Sequence, residues 1–220
     1  MVFIAVNNLS GTIPDEISVF STLRDIDFFV NSITGSLPDG LAGLESLTTL
    51  DLQENLLTGL AFPASVTALS QLVNYRIGNN ALSGSIPTEI SSLRNLVELW
   101  ADDNAIFGSI PSGIGDLRSL KTILLSDNKI TGEIPSELGL IPMEELVMSG
   151  NNFFGTIPSQ LFNVASLNTI RLDSNFLTGS LPDAIGQLTD LETLRIEYNE
   201  LSGQIPESIG YMTSLGKKTI

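Results

Sequence analysis

The chain has 220 residues, ten basic against 25 acidic side chains for a net charge of −15, and neither cysteine nor histidine. This excludes disulfides, cysteine-built metal sites, thiol nucleophiles and any mechanism with imidazole as base. The acidity argues against nucleic acid and anionic membrane surfaces, which are gripped through Lys and Arg, and it mildly favours a basic partner, although solubility explains it equally well.

The first residues, MVFIAVNNLSG, lack the basic region and cleavage site of a signal peptide. They already carry the pattern that fills the chain, L-x-x-L-x-L-x-x-N-x-L-x-G-x-I-P. Val2 and Ile4 take its strand positions and Asn7 its Asn. The Asn recurs at Asn31, Asn55, Asn80, Asn104, Asn128, Asn151, Asn175 and Asn199, at spacings of 24, 24, 25, 24, 24, 23, 24 and 24 residues. In the central copy, Leu96–Pro111, Ala101 stands where the second strand Leu usually falls. No run of 18 or more apolar residues interrupts the repeats, so nothing in the chain reads as a membrane span.

Each copy opens with period-two alternation, as in Leu50-Asp51-Leu52, which predicts a short strand with apolar side chains inward. Nine such strands side by side make one parallel sheet roughly 38 Å wide. The Asn, with two donors and an acceptor on its amide, suits a buried column that satisfies loop backbone groups. Gly and Pro then follow, as in Gly84 and Pro87, for a turn other residues resist and for a preset φ. Apolar residues three apart, such as Ile114, Leu117, Leu120 and Ile123, predict a 3₁₀ or short helical segment on the convex side.

A pattern of this period is identified as a leucine-rich repeat. The expected architecture is an α/β repeat: a right-handed curved solenoid with a parallel concave β-sheet and an irregular, 3₁₀-helical or short-helix convex side. It forms one domain over 1–220, with nine repeats of 23–25 residues. The x-G-x-I/L-P segment, with Ser or Thr before the Gly in seven of nine repeats, resembles the plant-specific subclass. That subclass is found in ectodomains of receptor-like kinases and receptor-like proteins and in polygalacturonase-inhibiting proteins. The resemblance implies a second short sheet beside the concave one. Phe107 and Phe154 replace the Ser/Thr, and at those two repeats the second sheet is expected to be interrupted.

Two copies break the period. There is one residue too many between Gly59 and Pro63 and one too few around Ile141-Pro142-Met143. Both changes fall outside the strands, so the concave sheet should run on past them while the convex side bulges or tightens. The Cys-containing caps that the resemblance implies are missing. At one end Phe3, Val6, Phe29 and Val30 make an apolar patch; at the other, Ile209, Met212 and Leu215 start a tenth repeat that Lys217 and Lys218 break off. Solenoid ends need polar caps, so the expectation is a piece of a longer protein.

The residues facing out of the strands form the candidate surface. Trp100, the only tryptophan, falls at its centre, with Leu124 and Val147 in the same column as an apolar strip. Arg76, Glu98, Asp102 and Asp103 surround it. Such a group has the composition of an interface hot spot; an aromatic merely stacked under an arginine is the alternative. Asp27 and Asp51 are adjacent like charges, which reads either as a contact for a basic partner or as a face screened by Arg24 or Arg76. Arg171 and Arg195 interleave with Asp173 and Glu197 and should satisfy one another.

Paired carboxylates on an open sheet lack the water-excluding cleft that glycosidase chemistry needs, so no catalytic residue and no cofactor or metal is expected. Asn8-Leu9-Ser10 is a glycosylation sequon. The reading is a non-catalytic recognition module that binds a protein or peptide ligand, basic in character, or a glycan, on its concave face. The resemblance implies a cell-surface or extracellular receptor-like role in signalling. A soluble inhibitor of a secreted enzyme, or a cytoplasmic scaffold, stands as the alternative.

Overall fold

The computed structural model describes residues 1–216. The expected tenth-repeat break at Lys217 and Lys218 lies outside them. Nine strands, Val2–Phe3, Asp25–Asp27, Thr49–Asp51, Asn74–Arg76, Glu98–Trp100, Thr122–Leu124, Glu145–Val147, Thr169–Arg171 and Thr193–Arg195, pair in chain order into one parallel sheet. Each strand is short because its repeat alternates only once before the Asn. In register, Ile26, Leu50, Tyr75, Leu99, Ile123, Leu146, Ile170 and Leu194 form one inward column. All but the last are 0% or 1% exposed. A fully buried side chain of this size stabilises by about 1.5–3 kcal/mol, so the column is a major part of the core.

The Asn ladder ties the repeats together. Asn128 is typical: its Oδ1 accepts the Ile106 N–H at 2.9 Å, and its Nδ2 donates to the carbonyls of Ala101, Leu125 and Ser126. Every Asn from Asn31 to Asn199 accepts one backbone N–H of the preceding repeat. Asn7, at the end of the stack, is exposed, and its side chain donates only to carbonyls of its own loop, at Ile4 and Ala5, while its backbone N–H reaches Val30. The ladder between repeats therefore starts one repeat later than the sequence suggests, and its buried members are Asn55, Asn128, Asn151 and Asn175.

The residue before the Asn turns the chain through the left-handed region, from Val6 at φ 54° to Tyr198 at φ 56°, and Val30 does so despite its β-branched side chain. After the Gly-x-Ile/Leu-Pro corner, each extended Pro leads into a 3₁₀ turn. The Pro carbonyl accepts the N–H three residues on, as between Pro111 and Ile114 at 3.0 Å. The one exception is the α-helical turn Ala64–Thr67, just after the extra residue.

A second, flanking parallel sheet forms in two parts: three strands, Ser10–Thr12, Ser32–Gly35 and Leu56–Leu57, and six strands running from Ser83–Ser85 to Glu200–Leu201. The expected interruptions do not occur. Phe107 pairs with both Ser85 and Lys129, and Phe154 with both Glu133 and Phe176. Backbone pairing does not depend on the hydroxyl, and the two phenylalanines turn outward, about half exposed. The break falls instead at the extra residue, where only an isolated bridge, Leu60 to Ser83, joins the two parts. Here Tyr75 occupies a column position that is Ile or Leu in the neighbouring repeats. Its hydroxyl donates to the displaced Ala61 carbonyl, and its ring meets Phe62 edge-on at 5.8 Å. The shortened repeat is absorbed by Ile141, whose extended backbone lets Met143 reach the core with no exposure.

Candidate functional site on the concave face

The outward residues of the nine strands line the concave face, and its centre divides into two parts. In the first, Arg76 is the node. Its Nε donates to Glu98 at 2.7 Å and its Nη1 to Asp51 at 3.1 Å, while its guanidinium lies 4.5 Å from the centre of the Trp100 ring. Trp100 is thus half-buried beneath an arginine, in cation–π contact. Arg76, not Arg24, is the cation that relieves Asp51. Asp51 itself is only 6% exposed and also accepts from Gln53, so it is not open to a ligand as expected. Asp27 stays half-exposed, its carboxylate turned to the Phe29 N–H.

The second part is a hollow of about 390 Å³ on the C-terminal side of Trp100. Leu124 and Val147 lie in it, with Asp102, Asp103, Asp127, Glu145, Arg171 and Asp173 around them. The apolar strip is narrower than expected. Val147 stands between Leu124 and Arg171 in register and is only 7% exposed, because a short side chain between two longer ones keeps little access to solvent.

Charge in the hollow is unbalanced. Burial, and then repulsion by Asp103 and Asp127, raises the Asp102 pKa above the ordinary carboxylate value. Burial, with Asp103 and Asp173 adding repulsion, raises that of Asp127, and Arg171 only partly opposes this. Asp173 accepts from Ser149 at 2.6 Å and faces Arg171 and Arg195 at 4.0 and 3.9 Å. Arg195 and Glu197 pair at 2.7 Å, so this C-terminal cluster largely satisfies itself. The Nε of Arg171 and the indole Nε1 of Trp100 are covered from solvent and have no hydrogen-bond partner among the described residues.

Two glycines make room for the carboxylates. A Cβ on Gly150 would stand 2.4 Å from an Asp127 oxygen, and one on Gly78 would stand 2.7 Å from an Asp102 oxygen. Asp127, Glu145, Ser149, Arg171 and Asp173 are site residues that the sequence reading did not assign to the centre. The signal lay in Gly150 and Gly78, which replace side chains at outward positions next to the acidic column. Asn8 is exposed, and its side-chain oxygen accepts from Ser32. Among the described residues no group of three carboxylates is placed to hold a metal ion, and no helix is long and apolar enough to cross a membrane.

The profile of the Leucine Rich Repeat family matches residues 119–141, 143–164, 166–188 and 190–212. The chain is a leucine-rich repeat solenoid. It superposes on a TDR receptor with a TM-score of 0.93 at 35% identity, covering 97% of this chain and 37% of that one. It superposes on the Arabidopsis receptor kinase HAESA, solved with the peptide hormone IDA and the co-receptor SERK1, with a TM-score of 0.94 at 32% identity, covering 98% and 36%. The solenoid therefore spans little more than a third of the length of either receptor. A plant ice-binding protein matches with a TM-score of 0.77 at 29% identity, covering 93% of this solenoid and 74% of that chain. No curated protein matches the sequence significantly.

Proposed function

We propose that this solenoid is a non-catalytic recognition module that binds a peptide or protein on its concave face, across Trp100 and the acidic hollow beside it. The observation that carries the reading is the uncompensated charge of the hollow. Over a floor of Leu124 and Val147, five carboxylates line it: Asp173 is paired with Arg171 and Arg195, while Asp102, Asp103, Asp127 and Glu145 have no ion pair among the described residues. A structural face would pair those charges, as Arg76 does one strand away. An apolar floor ringed by carboxylates suits a basic side chain whose aliphatic stem packs below its charged head. The likeness to HAESA with its bound peptide hormone supports a peptide ligand and a receptor-like, extracellular setting in signalling.

The test is selection of a displayed random peptide library on the wild-type chain. Recovered peptides should be enriched in Arg and Lys. Trp100→Ala should weaken their binding by more than about 1 kcal/mol while the melting curve stays nearly unchanged. Recovered peptides without basic enrichment that bind the variant equally well would remove Trp100 and the hollow from the site.

A further inference from the structure

Arg76 stands in the concave column between Asp51 and Trp100, in register with both. Its guanidinium is held from three sides. Its Nε donates to Glu98 at 2.7 Å, its Nη2 lies 2.5 Å from the same Glu98 oxygen, and its Nη1 donates to Asp51 at 3.1 Å. Asp51 is fixed in turn, accepting from the Gln53 side-chain amide at 3.2 Å and from the Gln53 N–H at 3.3 Å. The third side is the Trp100 ring, 4.5 Å from the guanidinium carbon. Arg171 lies further along the same column, past Leu124 and Val147, and comes no nearer to a carboxylate than 4.0 Å.

This engagement limits what Arg76 can do. All three of its guanidinium nitrogens face a carboxylate oxygen, and its side chain is only a quarter exposed. Two negative charges surround its one positive charge, so an acidic ligand group finds no free cation there. What the network does supply is order. A planar guanidinium bound to two carboxylates keeps one orientation, and the ring in contact with it is held as well. An aromatic on an open sheet otherwise exchanges rotamers, and a ligand that has to fix one of them loses affinity. On the far side of Trp100 the neighbouring strand carries Leu124, the floor of the hollow.

We infer that Arg76 is a positioning residue of the peptide site: it touches no ligand and acts by holding the Trp100 indole in the orientation that a peptide in the hollow meets. This role presupposes the concave peptide site and adds what prepares it. Asp51, Glu98 and Gln53 then belong to the same support, one step further from the peptide.

The test replaces Arg76 by lysine, which keeps a positive charge beside buried Asp51 but lacks the planar fork. In the chain without peptide, acrylamide should quench Trp100, the only tryptophan, more strongly in Arg76→Lys than in the wild type. A fast component should appear in its anisotropy decay, with the circular dichroism spectrum unchanged. A library-selected basic peptide should bind Arg76→Lys roughly three- to tenfold more weakly. In the Trp100→Ala background the same substitution should cost nothing further, because the residue acts through the ring. Gln53→Ala, which loosens Asp51 and leaves both arginine and ring in place, should move quenching and affinity the same way by less. Wild-type quenching in Arg76→Lys, wild-type peptide affinity, or losses that add to those of Trp100→Ala would each overturn the inference. Failure of the concave site itself reads differently: Trp100→Ala would then bind the peptide as the wild type does, whatever stands at position 76.

Discussion

The concave sheet and the flanking sheet are built from the same nine repeats, yet only the concave one runs unbroken. The difference lies in where each strand stands relative to changes of length. A concave strand is fixed by its neighbours, by an inward side chain in the core column and by the Asn ladder just beyond it. A one-residue slip would turn the apolar set outward, so changes of length are expelled to the convex side. A flanking strand, although it too has an inward side chain and gives an N–H to the Asn ladder, as at Ile106, lies nearest the expelled length. One extra residue at Leu60 reduces it to a single bridge, whereas two phenylalanines in place of hydroxyls leave it whole.

If the Asn ladder is what makes the concave sheet unyielding, its loss should matter most where it is buried. Asn128→Ala leaves the Ile106 N–H and up to three carbonyls short of a partner and should cost about 3 kcal/mol in denaturant unfolding. Asn7→Ala, at the exposed end, should cost less than about 1 kcal/mol. Equal losses would show that the residue acts through its own loop and not through the junction.

The bulged repeat offers a sharper contrast. Tyr75→Phe keeps the core column filled but unties the Ala61 carbonyl, and should cost about 1–2 kcal/mol. Amide exchange should then quicken around Gly59–Pro63 but not in Glu98–Trp100. A uniform increase along the chain would mean that the bulge and the concave sheet are one cooperative unit.

The smallest effect concerns the acidic hollow. The pKa values of Asp102 and Asp127 are raised above the ordinary 3.8. Between that value and the raised ones the folded chain holds more protons than the unfolded chain, so stability falls as pH rises through the window. Asp127→Asn removes its share of this penalty. The variant should exceed the wild type by a few tenths of a kcal/mol at neutral pH, and the gain should disappear in thermal melts below about pH 3.8. A gain that persists in acid would point to packing rather than charge.

The fold was legible because the repeat states it nine times. Period-two alternation, the Asn and the Gly-x-Ile/Leu-Pro corner each predict an element that the structure contains. The left-handed residue before each Asn was not legible, since Val, Glu, Asp, Ser and Tyr occupy it in seven repeats and only Asn79 and Gly150 hint at the conformation. The Trp100 column was legible from counting back from the Asn, but the state of its charges was not. Arg76 reaches both Asp51 and Glu98, whereas the carboxylates one strand further on receive no such partner. Which neighbour a long side chain chooses is a matter of rotamer and reach, which spacing does not encode. The break at Leu60 had a readable sign in Tyr75, an aromatic in a column whose neighbours are aliphatic.

Trp100 is the only tryptophan in the chain, so its fluorescence reports on the centre of the concave face alone. The most direct measurement is a titration with the tightest library-selected basic peptide, following Trp100 emission alongside calorimetry. The account predicts a saturable change in emission with the same dissociation constant as the heat signal. Heat of binding with unchanged Trp100 emission would place the ligand elsewhere on the solenoid and contradict the concave site.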